Sequence, residues 1–261
     1  LISSFMWSIE RGFLIVDIKD IKSFNVIDHF LKNQILINFP KIVQNYEGSE
    51  IFDYLHKYLK VNKLNDLRIN LIKSLYSTKE IKKAYYNISK EIVNLIVGNE
   101  IAMQKRLNLS IQLPNDKSSL LSVHADTWSG DSPYEVVVWL PLVDCSKSKS
   151  MFILSPKKTK ELYKKSLSAV SKGSNKVLYN KLKKDLKFID IKRGQFLIFN
   201  QNLPHGNIVN ETSLTRISMN CRYKSLFSPY FKKELGEFFL RSSALIASSV
   251  APPSVSQPLS L

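Results

Sequence analysis

The sequence predicts an α+β protein whose helices come first and whose strands follow. Apolar residues recur every three or four positions within residues 19–98, the period of amphipathic helices. From Gln104 to about residue 230 the period is two, the alternation of half-buried strands, with one interruption. At 261 residues and 44% hydrophobic content the chain can bury a substantial core, so residues 1–241 are expected to form one domain.

Gly12 to Ile18 is a short apolar, β-branched run and reads as a first strand. Ser49 is placed to cap a helix whose Ile51, Leu55 and Leu59 repeat at four-residue spacing. Leu64, Leu67, Leu71 and Leu75 form the stripe of the next helix. Ser77-Thr78-Lys79-Glu80 matches a capping box and opens a long helix through Ile81, Tyr85, Ile88, Ile92 and Leu95. Gly98 is its expected C-terminal cap. These stripes are expected to pack against the rest of the domain. Leu107, Leu109, Ile111 and Leu113 alternate with Arg106, Asn108, Ser110 and Gln112. In a barrel the polar face of such a strand can line a water-filled cavity.

Leu120 to Asp126 alternates again, and Ser129 to Pro133 is a turn by composition. Tyr134 to Leu140 reads as a strand stopped by Pro141, and Met151 to Leu154 as another. Residues 157–187 interrupt the strands with eleven lysines against two acids, Glu161 and Asp185. Helical stripes there (Leu162, Val170; Leu178, Leu182, Leu186) break at Gly173. Two readings stay open: a solvated helical insertion, or a rim that attracts an anionic substrate. Gly194 to Asn200 resumes the strands, and Arg216, Ser218, Asn220 and Arg222 later share one face. The tail 242–261 is rich in Ser, Ala and Pro, lacks lysine, and is expected to be disordered or foreign to the fold.

The net charge of +16 attracts anions, although abundant Lys, Ile and Asn also fit an AT-rich genome. No zinc-finger spacing, RNP-like strand or helix-turn-helix supports nucleic acid as the partner; a small molecule is expected, and an anionic one suits the charge. No stretch approaches about 18 uninterrupted apolar residues, so no membrane span is expected. Two cysteines, Cys145 and Cys221, are too few for a disulfide framework, and a reducing cytoplasm fits them. The start at Leu1 leaves an N-terminal truncation open.

His124 and Asp126 sit two apart on an alternating stretch and therefore point to one face. An imidazole and a carboxylate so placed can grip a divalent metal from one side. His205 is the candidate third ligand, since the other two histidines, His29 and His56, fall in the helical part. Two His and one carboxylate leave three adjacent positions on iron(II), enough for a chelating 2-oxo acid and O2. Arg216-Ile217-Ser218 follows His205 by eleven residues. The planar fork of Arg216 can take the far carboxylate of 2-oxoglutarate bidentately, and Ser218 can add a hydrogen bond. Each signal alone is weak, because H-x-D pairs and strand arginines are common on surfaces; their conjunction and order carry the assignment. Trp128, Arg106, Gln112, Asn220 and Arg222 are candidate substrate contacts.

The chain resembles iron(II)/2-oxoglutarate-dependent dioxygenases of the phytanoyl-CoA hydroxylase-like group. The stretch from Ser118 to Val136, with His124-Ala125-Asp126-Thr127-Trp128 at its centre, resembles sporadically distributed oxygenases of bacterial carbohydrate-biosynthesis clusters. The resemblance covers about residues 10–230. It implies a double-stranded β-helix (jelly-roll, cupin-like) core over 104–230 with helices outside. It further implies His124, Asp126 and His205 as iron ligands, Arg216 as 2-oxoglutarate anchor, and a sugar-related substrate that is hydroxylated or otherwise oxidised. Asp126, where halogenases of this group carry Ala or Gly, favours hydroxylation. A cupin-type isomerase or dioxygenase without 2-oxoglutarate would need neither Arg216 nor Ser218. A non-catalytic jelly-roll binding protein would not need the full ligand set, and JmjC-type demethylases commonly hold the oxo acid with Lys.

Overall fold

A computed structural model describes residues 10–165 and 175–243. Strand β1 (Phe13–Asp17) leads into helix α1 (Ile21–Asn38), which buries Phe24, Ile27, Leu31 and Ile35 along one stripe. The Asp20 carboxylate accepts from the Ser23 backbone N–H and hydroxyl and so starts the helix. The stripe of Ile51, Leu55 and Leu59 is buried as expected, but no single helix carries it. The chain makes one α turn, α2 (Glu50–Asp53), and then a 3₁₀ turn, Leu55–Lys57. The Asp53 carbonyl accepts from Thr215 N–H, while the Lys57 N–H turns to the Tyr54 carbonyl. The tertiary bond replaces the helical one, and Ser49 makes no side-chain cap.

Helix α3 (Val61–Ser77) buries Leu64, Leu67, Leu71 and Leu75, and α4 (Lys79–Val97) buries Ile81, Tyr85 and Ile88. The expected capping box does not form. The hydroxyls of Ser77 and Thr78 donate backward to the Ser74 carbonyl and finish α3 instead of starting α4. Gly98, at φ 93°, does end α4. Leu95, placed on the stripe by spacing, is exposed. Tyr85 donates to the Val138 carbonyl at 3.0 Å and fixes α4 to the sheet.

Strands β2 (Ile101–Gln104), β3 (Asn108–Gln112), β4 (Glu135–Pro141), β7 (Gln195–Asn200), β9 (Arg216–Ser225) and β10 (Phe239–Arg241) join β1 in the major sheet. The order is β1-β7-β4-β9-β2-β10, every pairing antiparallel, and β3 shares with β2 the edge of β9 that β4 leaves free. Strand β9 is the longest and central one. A smaller antiparallel sheet runs β6 (Leu186–Phe188), β5 (Phe152–Leu154), β8 (His205–Gly206). One apolar cluster joins helices and major sheet, and a second lies under the small sheet.

The lysine-rich interruption contains α5 (Pro156–Lys165) and α6 (Asn175–Leu182). Leu162 and Leu182 pack with Phe152 and Leu154, whereas Leu186, expected on a helix, lies in β6. Val170 and Gly173 lie outside the described residues, as does most of the tail. Ser242, where the tail was expected to begin, is buried and donates its N–H to Ile101. Among the described residues no helix is long and apolar enough to cross a membrane.

Candidate metal centre

The stretch 120–126 is not a full strand. It pairs at one residue, where His124 and His205 exchange backbone bonds of 2.9 and 2.8 Å. Asp126 begins a 3₁₀ turn, Asp126–Ser129, with its N–H on the Gln201 carbonyl. Ala125 between them is extended, so the expected same-face placement of His124 and Asp126 survives without a sheet around it. Side chains hold the loop instead: Asn207 accepts from Leu121 N–H at 2.6 Å and donates to the Ser119 carbonyl. Gly206 has no room for a side chain, since a Cβ would stand 2.6 Å from the Leu121 carbonyl oxygen.

His124, Asp126 and His205 come together with ligand atoms all within 4.8 Å of one another. The Oδ1 of Asp126 is 3.4 Å from His124 Nε2 and 3.9 Å from His205 Nε2. Donors about 2.1 Å from one metal in adjacent positions stand about 3 Å apart, so these three would have to draw together to hold one ion. Each imidazole is oriented by a carbonyl two residues earlier. His124 Nδ1 meets Ser122 O at 2.7 Å, and His205 Nδ1 meets Leu203 O at 2.8 Å. A carbonyl accepts only, so Nδ1 carries the proton and Nε2 offers its lone pair to a metal.

Burial, and His124 beside it, push the His205 pKa down to about 4 against the pull of Asp126, so it is neutral at pH 7. Burial acts to raise the Asp126 pKa, but the neighbouring His124 and the Arg222 charge hold it well below the usual carboxylate range. These three side chains line a 480 Å³ cavity, together with Arg216, Ser218 and Asn220.

Arg216 lies at the start of β9 and is 3% exposed. Its Nη2 donates to Ser110 Oγ at 3.1 Å, while its Nε and the Ser218 Oγ have no partner among the described residues. Burial lowers its pKa, and no carboxylate opposes that. A buried guanidinium without a counter-anion is costly. The polar face of β3 reaches the cavity through Asn108 and Ser110, with Asn108 donating to Asn220 Oδ1 at 2.7 Å.

Of the other candidate substrate residues, Arg222 also lines this cavity, whereas Arg106, Gln112 and Trp128 are not among its lining residues. Arg106 is exposed and stacks on Tyr76. Gln112 is buried beside Arg216 in register and donates to the Ile208 carbonyl. Trp128 donates to Tyr163 Oη of α5, which donates to the Asn202 carbonyl and so ties the lysine-rich segment to both loops that carry the triad. Arg222 contacts Asp126 itself, at 3.0 Å. Sequence reasoning missed Phe199 and Val137, apolar wall residues that inward alternation on β7 and β4 could have shown. It also missed Asp131, a turn residue by composition that is buried with Arg222 and Lys233.

Glu135, near this network, is 1% exposed, and its Oε2 has no partner among the described residues. Burial, aided by Asp131, raises its pKa to about 6 against Ser132 N–H and Arg222. A raised folded-state pKa favours the native state below the unfolded value, and that advantage is lost as pH rises through the folded one. A rise from the ordinary 4.5 to about 6 is worth on the order of 2 kcal/mol. Relative to wild type, Glu135→Gln is therefore expected to gain on the order of 2 kcal/mol between about pH 4 and pH 8. Denaturant unfolding at both pH values measures this, and a constant difference would contradict it.

Neither a protein-family profile nor a curated protein sequence matches the chain. Solved structures do. The apo form of ThoJ, a non-heme monooxygenase, is 12% identical, with a TM-score of 0.54 over 90% of this chain and 82% of that one. Its nickel complex aligns over the same shares with a TM-score of 0.52. HygX from Streptomyces hygroscopicus, with nickel and 2-oxoglutarate bound, is 11% identical, with a TM-score of 0.51 over 89% of each chain. At such identity the likeness is one of fold, and the chain shares the fold of these proteins.

Proposed function

We propose that the chain is an iron(II)- and 2-oxoglutarate-dependent oxygenase that hydroxylates or otherwise oxidises a sugar-related small molecule. The carrying observation is that one cavity holds both a His-Asp-His triad and a buried, unpaired Arg216 with the unbonded Ser218 hydroxyl. The residues fit the group: two imidazole nitrogens and one carboxylate suit iron(II), and the orphaned donors suit a carboxylate. A metal-dependent cupin-type enzyme without an oxo acid would leave Arg216 unexplained, as would a non-catalytic binding protein. The 2-oxoglutarate complex of HygX, a protein of like fold, supports the choice.

His124 and His205 offer Nε2 and Asp126 offers Oδ1. Arg216 and Ser218 clamp the distal carboxylate of the oxo acid. When bound, iron(II), 2-oxoglutarate and O2 supply the oxidising chemistry through decarboxylation of the oxo acid. Val137, Met151 and Phe199 form an apolar wall that excludes water. Asn108, Asn220 and Ser129 present amide and hydroxyl groups that suit a hydroxyl-rich substrate. The phytanoyl-CoA hydroxylase-like resemblance and the likeness to carbohydrate-cluster oxygenases favour the same class. The test is substrate-stimulated succinate release from iron(II), 2-oxoglutarate and O2 across nucleotide sugars and sugar phosphates. No binding of 2-oxoglutarate by the metal-loaded protein would overturn the proposal.

A further inference from the structure

The geometry points to Arg222 as the positioning residue that confines Asp126 to a single metal-binding oxygen. This rests on the metal-centre reading above. Both distances from the imidazole nitrogens run to the same oxygen, Oδ1. The other oxygen, Oδ2, is held by Arg222 Nη2 at 3.0 Å. Arg222 is in turn fixed from behind. Its Nε donates to Gln201 Oε1 at 3.2 Å, and its Nη1 to Gln104 Oε1 at 3.4 Å. Gln201 also accepts the Asp126 backbone N–H on its own carbonyl, so one residue sets both the carboxylate and its clamp. Asp131 lies 3.7 Å from Arg222 Nε and is itself paired with Lys233. With all three guanidinium nitrogens engaged by the protein, Arg222 is a poor substrate contact and a good brace.

The consequence is the number of positions left open. Two imidazoles and one carboxylate oxygen occupy three of six positions around an octahedral iron(II). A chelating oxo acid needs two more, and O2 the last. A carboxylate free to bind through both oxygens would take the position that O2 requires. A guanidinium on Oδ2 opposes this, because an N–H and a positive charge already engage that oxygen and a second cation would have to compete with them. The repulsion between Arg222 and the metal is offset by the carboxylate between them and by Asp131 behind.

Arg216, on the same face of β9, is six residues away, roughly 20 Å of extended chain, so the two arginines serve separate ends of the cavity. Loss of Arg222 should therefore leave 2-oxoglutarate capture largely intact while impairing the O2-dependent step.

The test uses the full chain, freed of metal and titrated with Co(II), whose visible absorption intensity depends on coordination number. Arg222→Met removes the clamp. Arg222→Gln also falls short of Oδ2 but keeps an amide for the neighbours should the Met variant not fold. Arg222→Lys retains a cation that can reach the carboxylate. The Met or Gln variant is expected to bind Co(II) with an altered spectrum and the Lys variant with a spectrum near wild type. In the iron(II) form, kcat should fall about 10- to 100-fold in the Met or Gln variant with the KM for 2-oxoglutarate little changed. Met and Gln variants with the wild-type Co(II) spectrum would overturn the role of Arg222 alone. A wild-type protein that takes up no Co(II) would overturn the metal centre, and this inference with it.

Discussion

Asp126→Ala is expected to yield a folded protein that no longer retains iron(II), and His124→Ala the same. Structural zinc sites, at roughly 10–16 kcal/mol over four ligands, set the scale for one ligand at about 2.5–4 kcal/mol, about 70- to 900-fold in affinity. Two of three ligands then remain, and turnover is lost with the metal. Folding should survive because neither side chain anchors the core. His124 lies in a loop with one backbone bridge, and Asp126 makes its structural bond through its backbone N–H. Removing Asp126 leaves Arg222 with Gln201, Gln104 and Asp131 as partners. Asp126→Asn separates charge from shape, since it can still accept from Arg222 while the anionic donor is gone; its affinity should fall between. A metal titration checks the series, together with the rise in unfolding temperature that metal causes in wild type. Wild-type affinity in Asp126→Ala would remove the triad from the account.

The parts of the site legible in the sequence depend on spacing along one extended segment. His124 and Asp126, or Arg216 and Ser218, share a face because extended backbone alternates, and this holds at Ala125 even without a continuous sheet. What stayed hidden depends on contacts between distant segments. The break after Asp53 follows from Thr215, more than a hundred residues later, taking the Asp53 carbonyl. The failed capping box has a nearer cause, since Ser77 and Thr78 have two helix ends in reach and serve the first. Helix α1 carries a regular stripe, Phe24, Ile27, Leu31 and Ile35, that went unread as a separate helix. Alternation puts Arg222 on one face with Arg216, Ser218 and Asn220 and makes it a candidate substrate contact, but its partner Asp126 is on another segment, so its place beside the carboxylate is not visible from alternation.

Arg216→Ala is expected to weaken 2-oxoglutarate binding while leaving metal uptake intact. A buried, bidentate, charge-assisted contact is worth on the order of 2–4 kcal/mol, or roughly 30- to 1000-fold in affinity. The upper part of that range fits here, because Arg216 is 3% exposed and has no competing carboxylate to fall back on. Arg216→Lys should recover only part of the loss, since an ammonium supplies charge without the planar fork. Stability should respond in the opposite sense. The guanidinium is buried, with Nη2 on Ser110 Oγ and Nε without a partner among the described residues. Arg216→Met keeps the aliphatic stem and removes this burden, so its unfolding temperature without ligand should match or exceed that of wild type. Adding 2-oxoglutarate reverses the order: at a concentration about 100 times its Kd, wild type gains about 2.7 kcal/mol, and the Met variant gains far less. Thermal unfolding with and without 2-oxoglutarate at saturating metal reads both effects in one experiment. Equal ligand-induced stabilisation in wild type and Arg216→Met would mean that Arg216 does not hold the oxo acid, and its unpaired charge would then need another anion.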